Sequence, residues 1–151
     1  MSEKWAMITG ATSGIGLATA RQLSYEGYQL ILLGRREDRL ALLKAELHGL
    51  HPHQRVETWA VDLKDHASLK ACFAKSQEWV GRVEVLINSA GLARGLEPLH
   101  KGQTEDWDDM IDTNVKSLLW VTRLVLPGMV ARNFGHVINI GSVAGRWVYP
   151  N

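Results

Sequence analysis

The chain has one cysteine, Cys72, in 151 residues. No internal disulfide can form, which suits a reducing compartment. Cys72 falls beside Phe73 on an apolar helical face, so it reads as core rather than as a reactive thiol. Net charge is nearly lacking too: 17 Lys and Arg stand against 16 Asp and Glu, formally +1. Proteins that grip duplexes usually show a basic stripe or patch, so no nucleic-acid partner is expected. No apolar run nears the roughly 18 residues of a membrane span. The first ten residues hold no leader-like cleavage region. The expectation is a cytoplasmic protein without membrane contact. Core material is plentiful: 46% of residues are hydrophobic and 22% charged, which suits one domain over residues 1–151.

Apolar runs and amphipathic stretches alternate along the chain. The runs at Trp5–Ile8, Tyr28–Leu33, Arg55–Val61, Val83–Ile87 and His136–Ile140 read as five strands. Between them lie helical patterns. The first places Ile15, Thr19 and Leu23 on one face and stops at Gly27. The second repeats Leu40, Leu43 and Leu47. The third starts at a capping Asp65 and buries Leu69, Cys72, Phe73 and Val80. A long helix is expected from a Thr104 cap, with acidic residues near its positive end and a kink or break at Pro127-Gly128. Strands alternating with helices predict an α/β fold with a parallel sheet covered on both faces.

The strongest local signal is Thr9-Gly10-Ala11-Thr12-Ser13-Gly14-Ile15-Gly16, where the first strand becomes the first helix. Glycines there permit a sharp turn and close approach of the backbone to a ligand. Free N–H groups and the helix dipole favour a pyrophosphate at that point. The spacing is Gly-x-x-x-Gly-x-Gly, which differs from the general dinucleotide fingerprint.

With four further motifs this sequence resembles the short-chain dehydrogenase/reductase family along essentially its whole length. These are Asp62 after the third strand, Asn88-Ser89-Ala90-Gly91, Asn114 within Asp112-Thr-Asn-Val115, and Ile138-Asn-Ile-Gly-Ser142. Within the family it is most similar to bacterial NADP-dependent 3-hydroxy acid dehydrogenases that also oxidise serine. The resemblance implies a Rossmann-type doubly wound parallel sheet of order 3-2-1-4-5, truncated here after its fifth strand. It implies that Gly10, Thr12, Ser13, Gly14, Ile15 and Gly16 cradle the pyrophosphate. Asp62 and Leu63 are expected at the adenine, and Asn88, Ala90 and Gly91 along the cleft. Ser89 stands where the family has a second asparagine, so a weaker local brace is expected there.

Cofactor choice follows from charge. An acidic residue after the second strand would accept from a ribose 2′-OH and repel a 2′-phosphate. This chain has Arg35 and Arg36 there, and arginine pairs with phosphate through a planar fork. Two cations at a helix start oppose its dipole and call for a reason. The expected cofactor is NADP(H).

Ser142 is expected to orient the oxygen of a small alcohol or carbonyl substrate, and Asn114 to support a proton relay, as the resemblance implies. The bland alternatives are a strand-end serine satisfying a turn and a satisfied asparagine. The family's acid/base is a tyrosine followed four residues later by a lysine. No tyrosine of these 151 residues has that partner, and Tyr149 is the only one after Ser142. Loss of a positioned general acid costs roughly 10²–10⁴ in rate, so this chain by itself is expected to be inactive or severely impaired. A non-catalytic NADP-binding or interaction protein is the alternative reading. The apolar residues Leu118, Leu119, Trp120, Val121, Leu124 and Val125 cover much of the long helix, so self-association through it is expected. No metal is expected: His48, His51 and His53 lie in a loop with no cysteine or carboxylate placed to complete a site.

Overall fold

The computed structural model describes residues 3–147. Tyr149, the lone tyrosine after Ser142, lies outside them. Five strands form one parallel sheet: β1 Trp5–Thr9, β2 Gln29–Gly34, β3 Val56–Ala60, β4 Val83–Asn88 and β5 His136–Asn139. Their order is β3-β2-β1-β4-β5, as expected. The chain reverses direction across the sheet after β3, so the carboxyl ends of β1 and β4 flank the crevice where such sheets bind ligands. Trp5–Ile8 and Leu30–Leu33 are fully buried, because parallel strands are covered on both faces.

Helices α1 Gly14–Tyr25 and α2 Glu37–Leu50 cover one face. There Ala6, Ile8, Leu30 and Leu32 meet Ala20, Leu40, Leu43 and Leu47. On the other face α3 His66–Lys75, the short α4 Gln77–Val80 and the α6 helix Ser117–Arg132 enclose Met7, Ile31, Leu86, Phe73, Val121 and Val125. Cys72 is half-buried against this second core. Asp65 caps α3 as expected, accepting from the N–H groups of Ala67 and Ser68 at 3.1 and 3.0 Å. Bonds from Ser68 hold its carboxyl below the usual range.

Four local expectations are corrected. The buried face of α1 is Gly16, Ala20 and Ser24, whereas Ile15 is 58% exposed. Small residues let this helix approach the sheet, and Ile15, in the first turn, rises beyond it. Thr104 is the first residue of α5 (Thr104–Ile111), and its hydroxyl bonds Glu105 instead of capping a backbone N–H. The expected long helix runs without a gap from Thr104 to Arg132, but its irregularity is a π-helical segment at Asp112–Lys116, and α6 passes through Pro127 without interruption. Pro127 and Arg123 are exposed, so the Arg123 carbonyl that loses its partner can turn to water. The third predicted helix is divided at Ser76 into α3 and α4.

One buried polar knot ties the end of α1 to the segments that lead into β2 and β3. Gln54 is 7% exposed and Ser24 1%. Ser24 Oγ donates to Gln54 Oε1, and Gln54 Nε2 donates to the carbonyls of Ser24 (3.0 Å) and Tyr28. Gln54→Leu strands the buried Ser24 hydroxyl and the Tyr28 carbonyl, while the Ser24 carbonyl keeps the Gly27 N–H. An unsatisfied buried group costs about 1–3 kcal/mol, so urea unfolding should show at least that loss with an unchanged slope.

Candidate functional site

The carboxyl ends of β1, β2, β3 and β4 open into a cleft of about 560 Å³, within the roughly 300–1,000 Å³ of small-molecule sites. Gly10 turns the chain at the end of β1 with φ +68°, and Gly14 opens α1 with φ +53°. A Cβ on Gly10 would lie 2.9 Å from Ala90 Cα, so the turn packs backbone against backbone at the end of β4. Gly16 does not line the cleft. A Cβ there would run into the Gly10 carbonyl, so this glycine closes the turn from behind. Thr9 completes the frame: its hydroxyl accepts from the N–H groups of Ser89 and Ala90 at 3.0 and 3.1 Å.

Most sequence-predicted cofactor residues meet in this one place. From the turn, Gly10, Thr12, Ser13, Gly14 and Ile15 line the cleft. Arg35 and Arg36 border it after β2, Asp62 and Leu63 after β3, Ala90 and Gly91 after β4. The two arginines differ. Arg36 Nη2 donates to Thr12 Oγ1 at 2.8 Å and Ser13 Oγ at 2.9 Å, tying β2 to the turn. Arg35 is exposed at the rim. Asn88 is 3% exposed and stands behind the cleft. Its amide donates to Thr122 Oγ1 (3.0 Å) and Asn139 Oδ1 (2.9 Å), bracing β4 against α6 and β5.

Asn114 and Ser142 are not among the lining residues. Asn114 sits in the π-helical segment and holds the loop after β4 in both directions. Its Oδ1 accepts from Leu92 N–H, and its Nδ2 donates to Leu92 O, each at 2.8 Å. Ser142 lies two residues beyond Ile140, which does line the cleft. Its oxygen accepts from Ala144 N–H at 3.1 Å, capping a short 3-10 turn over Val143–Gly145. Its hydroxyl hydrogen is not used in that cap.

Sequence reasoning missed a charged bridge beside the cleft. Asp109 of α5 receives Lys64 Nζ on Oδ1 and Arg94 Nε on Oδ2, each at 2.5 Å. The Lys64 ammonium and then the Arg94 guanidinium hold the Asp109 carboxyl below the usual range, and Asp109 raises Lys64. No periodicity announces a contact between residues 45 apart; only the fold brings them together. The lining residues Thr113 and Leu92 were missed for the same reason.

The sequence profile of the short chain dehydrogenase family matches residues 4–151. The chain belongs to that family. An NADP-dependent 3-hydroxy acid dehydrogenase of Salmonella typhi is 48% identical over 143 residues, 95% of this chain and 56% of the relative. Sulfoacetaldehyde reductase 2 of Chromohalobacter salexigens is 43% identical over 145 residues, again 56% of its length. The chain therefore spans little more than half of these curated relatives. Among solved structures, serine dehydrogenase from Escherichia coli superposes with a TM-score of 0.87 at 44% identity, covering 97% of this chain and 65% of that one. A metagenomic short-chain oxidoreductase in complex with NADP superposes at 0.89 with 33% identity, covering 99% and 67%. The expected family and sheet are thus confirmed.

Proposed function

We propose that residues 1–151 are the NADP(H)-binding part of a short-chain oxidoreductase that moves a hydride between nicotinamide and a small alcohol or carbonyl, such as a 3-hydroxy acid. The observation that carries this reading is the single cleft uniting the glycine turn with Arg35, Arg36 and the Asp62-Leu63 wall. Relatives named NADP-dependent, and a similar chain solved with NADP, support the cofactor. Anionic pyrophosphate suits the N-terminus of α1, and the 2′-phosphate suits the arginines.

In that role Gly10, Thr12, Ser13, Gly14 and Ile15 would hold the diphosphate. Asp62 and Leu63 would flank the adenine, and Ala90 and Gly91 would line the path toward the nicotinamide. Asn88 would act by bracing β4, and Asn114 by fixing Leu92. Ser142 would orient the substrate oxygen through its hydroxyl hydrogen. The bound cofactor supplies the hydride; the residues named here position it and the reacting oxygen. With no tyrosine paired to a lysine four residues on, the 151 residues alone should bind NADPH without turning over.

An assay of NADPH oxidation against small aldehydes and keto acids, beside calorimetric titration of NADPH, tests this reading. Binding at one site without turnover is expected. Turnover would overturn the inactivity, and a folded chain that ignores NADPH would overturn the cofactor role. The second reading, a non-catalytic binder, shares the cleft. A small 3-hydroxy acid that binds the NADP⁺-saturated chain, but not the free chain, favours the oxidoreductase.

Self-association belongs to the same proposal. Of the six apolar residues expected to leave the long helix uncovered, Val121 and Val125 are buried and Leu118, Trp120 and Leu124 are partly buried; Leu119 is exposed, as are Ile111, Val115, Leu126 and Val130. Exposed apolar residues gathered along one helix tend to associate. Sedimentation should show a concentration-dependent dimer or larger species, and Leu119→Glu should shift it to monomer without loss of NADPH binding.

A further inference from the structure

The bridge at Asp109 lies on neither strand nor glycine turn, yet it joins two walls of the cleft. On one side is Lys64, next to the lining residues Asp62 and Leu63; Lys64 N–H also donates to Asp62 Oδ1 at 3.0 Å. On the other is Arg94, two residues beyond Leu92, in the loop that follows the lining residues Ala90 and Gly91. Arg94 N–H rests on Met110 Sδ at 3.4 Å, so α5 holds this loop by backbone as well as by charge. The Asp109 side chain is 15% exposed, while Lys64 and Arg94 are 34% and 49% exposed. One carboxylate, with an oxygen for each cation, joins the segments that follow these two walls.

We propose that Asp109 is a positioning residue that sets the distance between the adenine wall and the loop after β4, so that a dinucleotide can touch both at once. This inference rests on the proposed NADP(H) site. A ligand that needs both walls depends on their spacing, because a preorganised site does not spend binding energy on ordering itself. A ligand that needs one wall does not. Lys64 and Arg94 keep a third to a half of their side chains in water, so their pairs with Asp109 are screened and the bridge should be felt in binding more than in unfolding. Freed from Asp109, Lys64 is one more cation near Asp62 and the arginines. That favours a 2′-phosphate and opposes any loss of affinity for the adenosine half.

The test compares NADPH with its adenosine half, 2′,5′-ADP, by calorimetry on the 151-residue chain. Asp109→Asn should weaken NADPH about tenfold, the middle of the range for coupled groups, and leave 2′,5′-ADP unchanged or tighter. The thermal midpoint of the free chain should hardly move. Arg94→Met, on a half-exposed side chain outside the core, should reproduce the effect. Lys64→Met combined with Arg94→Met should be no worse for NADPH than the stronger single change, since a bridge breaks once. Equal weakening of both ligands, unchanged NADPH affinity in Arg94→Met, or additive losses in the double variant would overturn the bridge while the cofactor site stands. A folded wild-type chain that binds 2′,5′-ADP but not NADPH also overturns it. Failure to bind either ligand overturns the cofactor reading and the bridge with it.

Discussion

Arg35→Asp weakens NADPH binding by roughly 100-fold, the loss of a charge-assisted pair worth about 1.5–3 kcal/mol plus repulsion, and leaves NADH within a few-fold. The asymmetry between the two arginines makes this a sharp expectation. Arg36 is occupied with Thr12 and Ser13 in the free protein, so part of its work is to hold the glycine turn against β2. Removing it should weaken NADPH and NADH together. Arg35, exposed at the rim of the same cleft, has no such duty to the turn and can face the 2′-phosphate. A new carboxylate there also offers an acceptor to a ribose 2′-OH. Parallel titrations of the two cofactors against Arg35→Asp and Arg36→Ala measure the ratio. Equal losses in Arg35→Asp would assign discrimination elsewhere.

Alanine at the three glycines of the turn should give two different outcomes. Gly10→Ala takes on a left-handed backbone, costing roughly 1–2 kcal/mol. It also drives a methyl into the backbone of Ala90, and overpacking of this kind adds about 1–3 kcal/mol. A fall of roughly 5–15 °C in thermal midpoint follows, and NADPH binding is lost. Gly16→Ala meets the Gly10 carbonyl and should behave alike. Gly14→Ala has the left-handed cost alone, because its Cβ would enter open space. That space is the cleft itself. Gly14→Ala should therefore unfold only about 2–8 °C earlier yet still lose much of its NADPH affinity. Thermal melts with and without NADPH separate the two kinds of glycine: one shapes the protein, the other makes room for the ligand.

The glycine turn, the arginines and the strand ends were legible because each is a local signal. A buried parallel strand reads as an apolar run, and a phosphate turn needs glycine at fixed places. The sheet order came from family resemblance and is the order observed. What stayed hidden depends on contacts between distant segments. Ile15 fits an apolar helical period, yet small residues one and five positions later take the face against the sheet. Pro127 looked like a break, but its solvent-facing position lets the helix pass through. The irregularity at Asp112–Lys116 has no proline or glycine to mark it. Asn114 was singled out for chemistry, and its side chain is engaged in holding Leu92. Asp109 looked like one more acid near a helix start, whereas it bridges two cations from separate elements.

The central claim is that these residues form an NADP(H) site in which the adenosine 2′-phosphate is recognised. The most direct test is calorimetric titration of the 151-residue chain with NADPH and with NADH under identical salt. The account predicts one site per chain and NADPH tighter by at least about tenfold, the least that a charge-assisted phosphate contact provides. Equal affinity for the two cofactors, or preference for NADH, by a chain shown to be folded would contradict it.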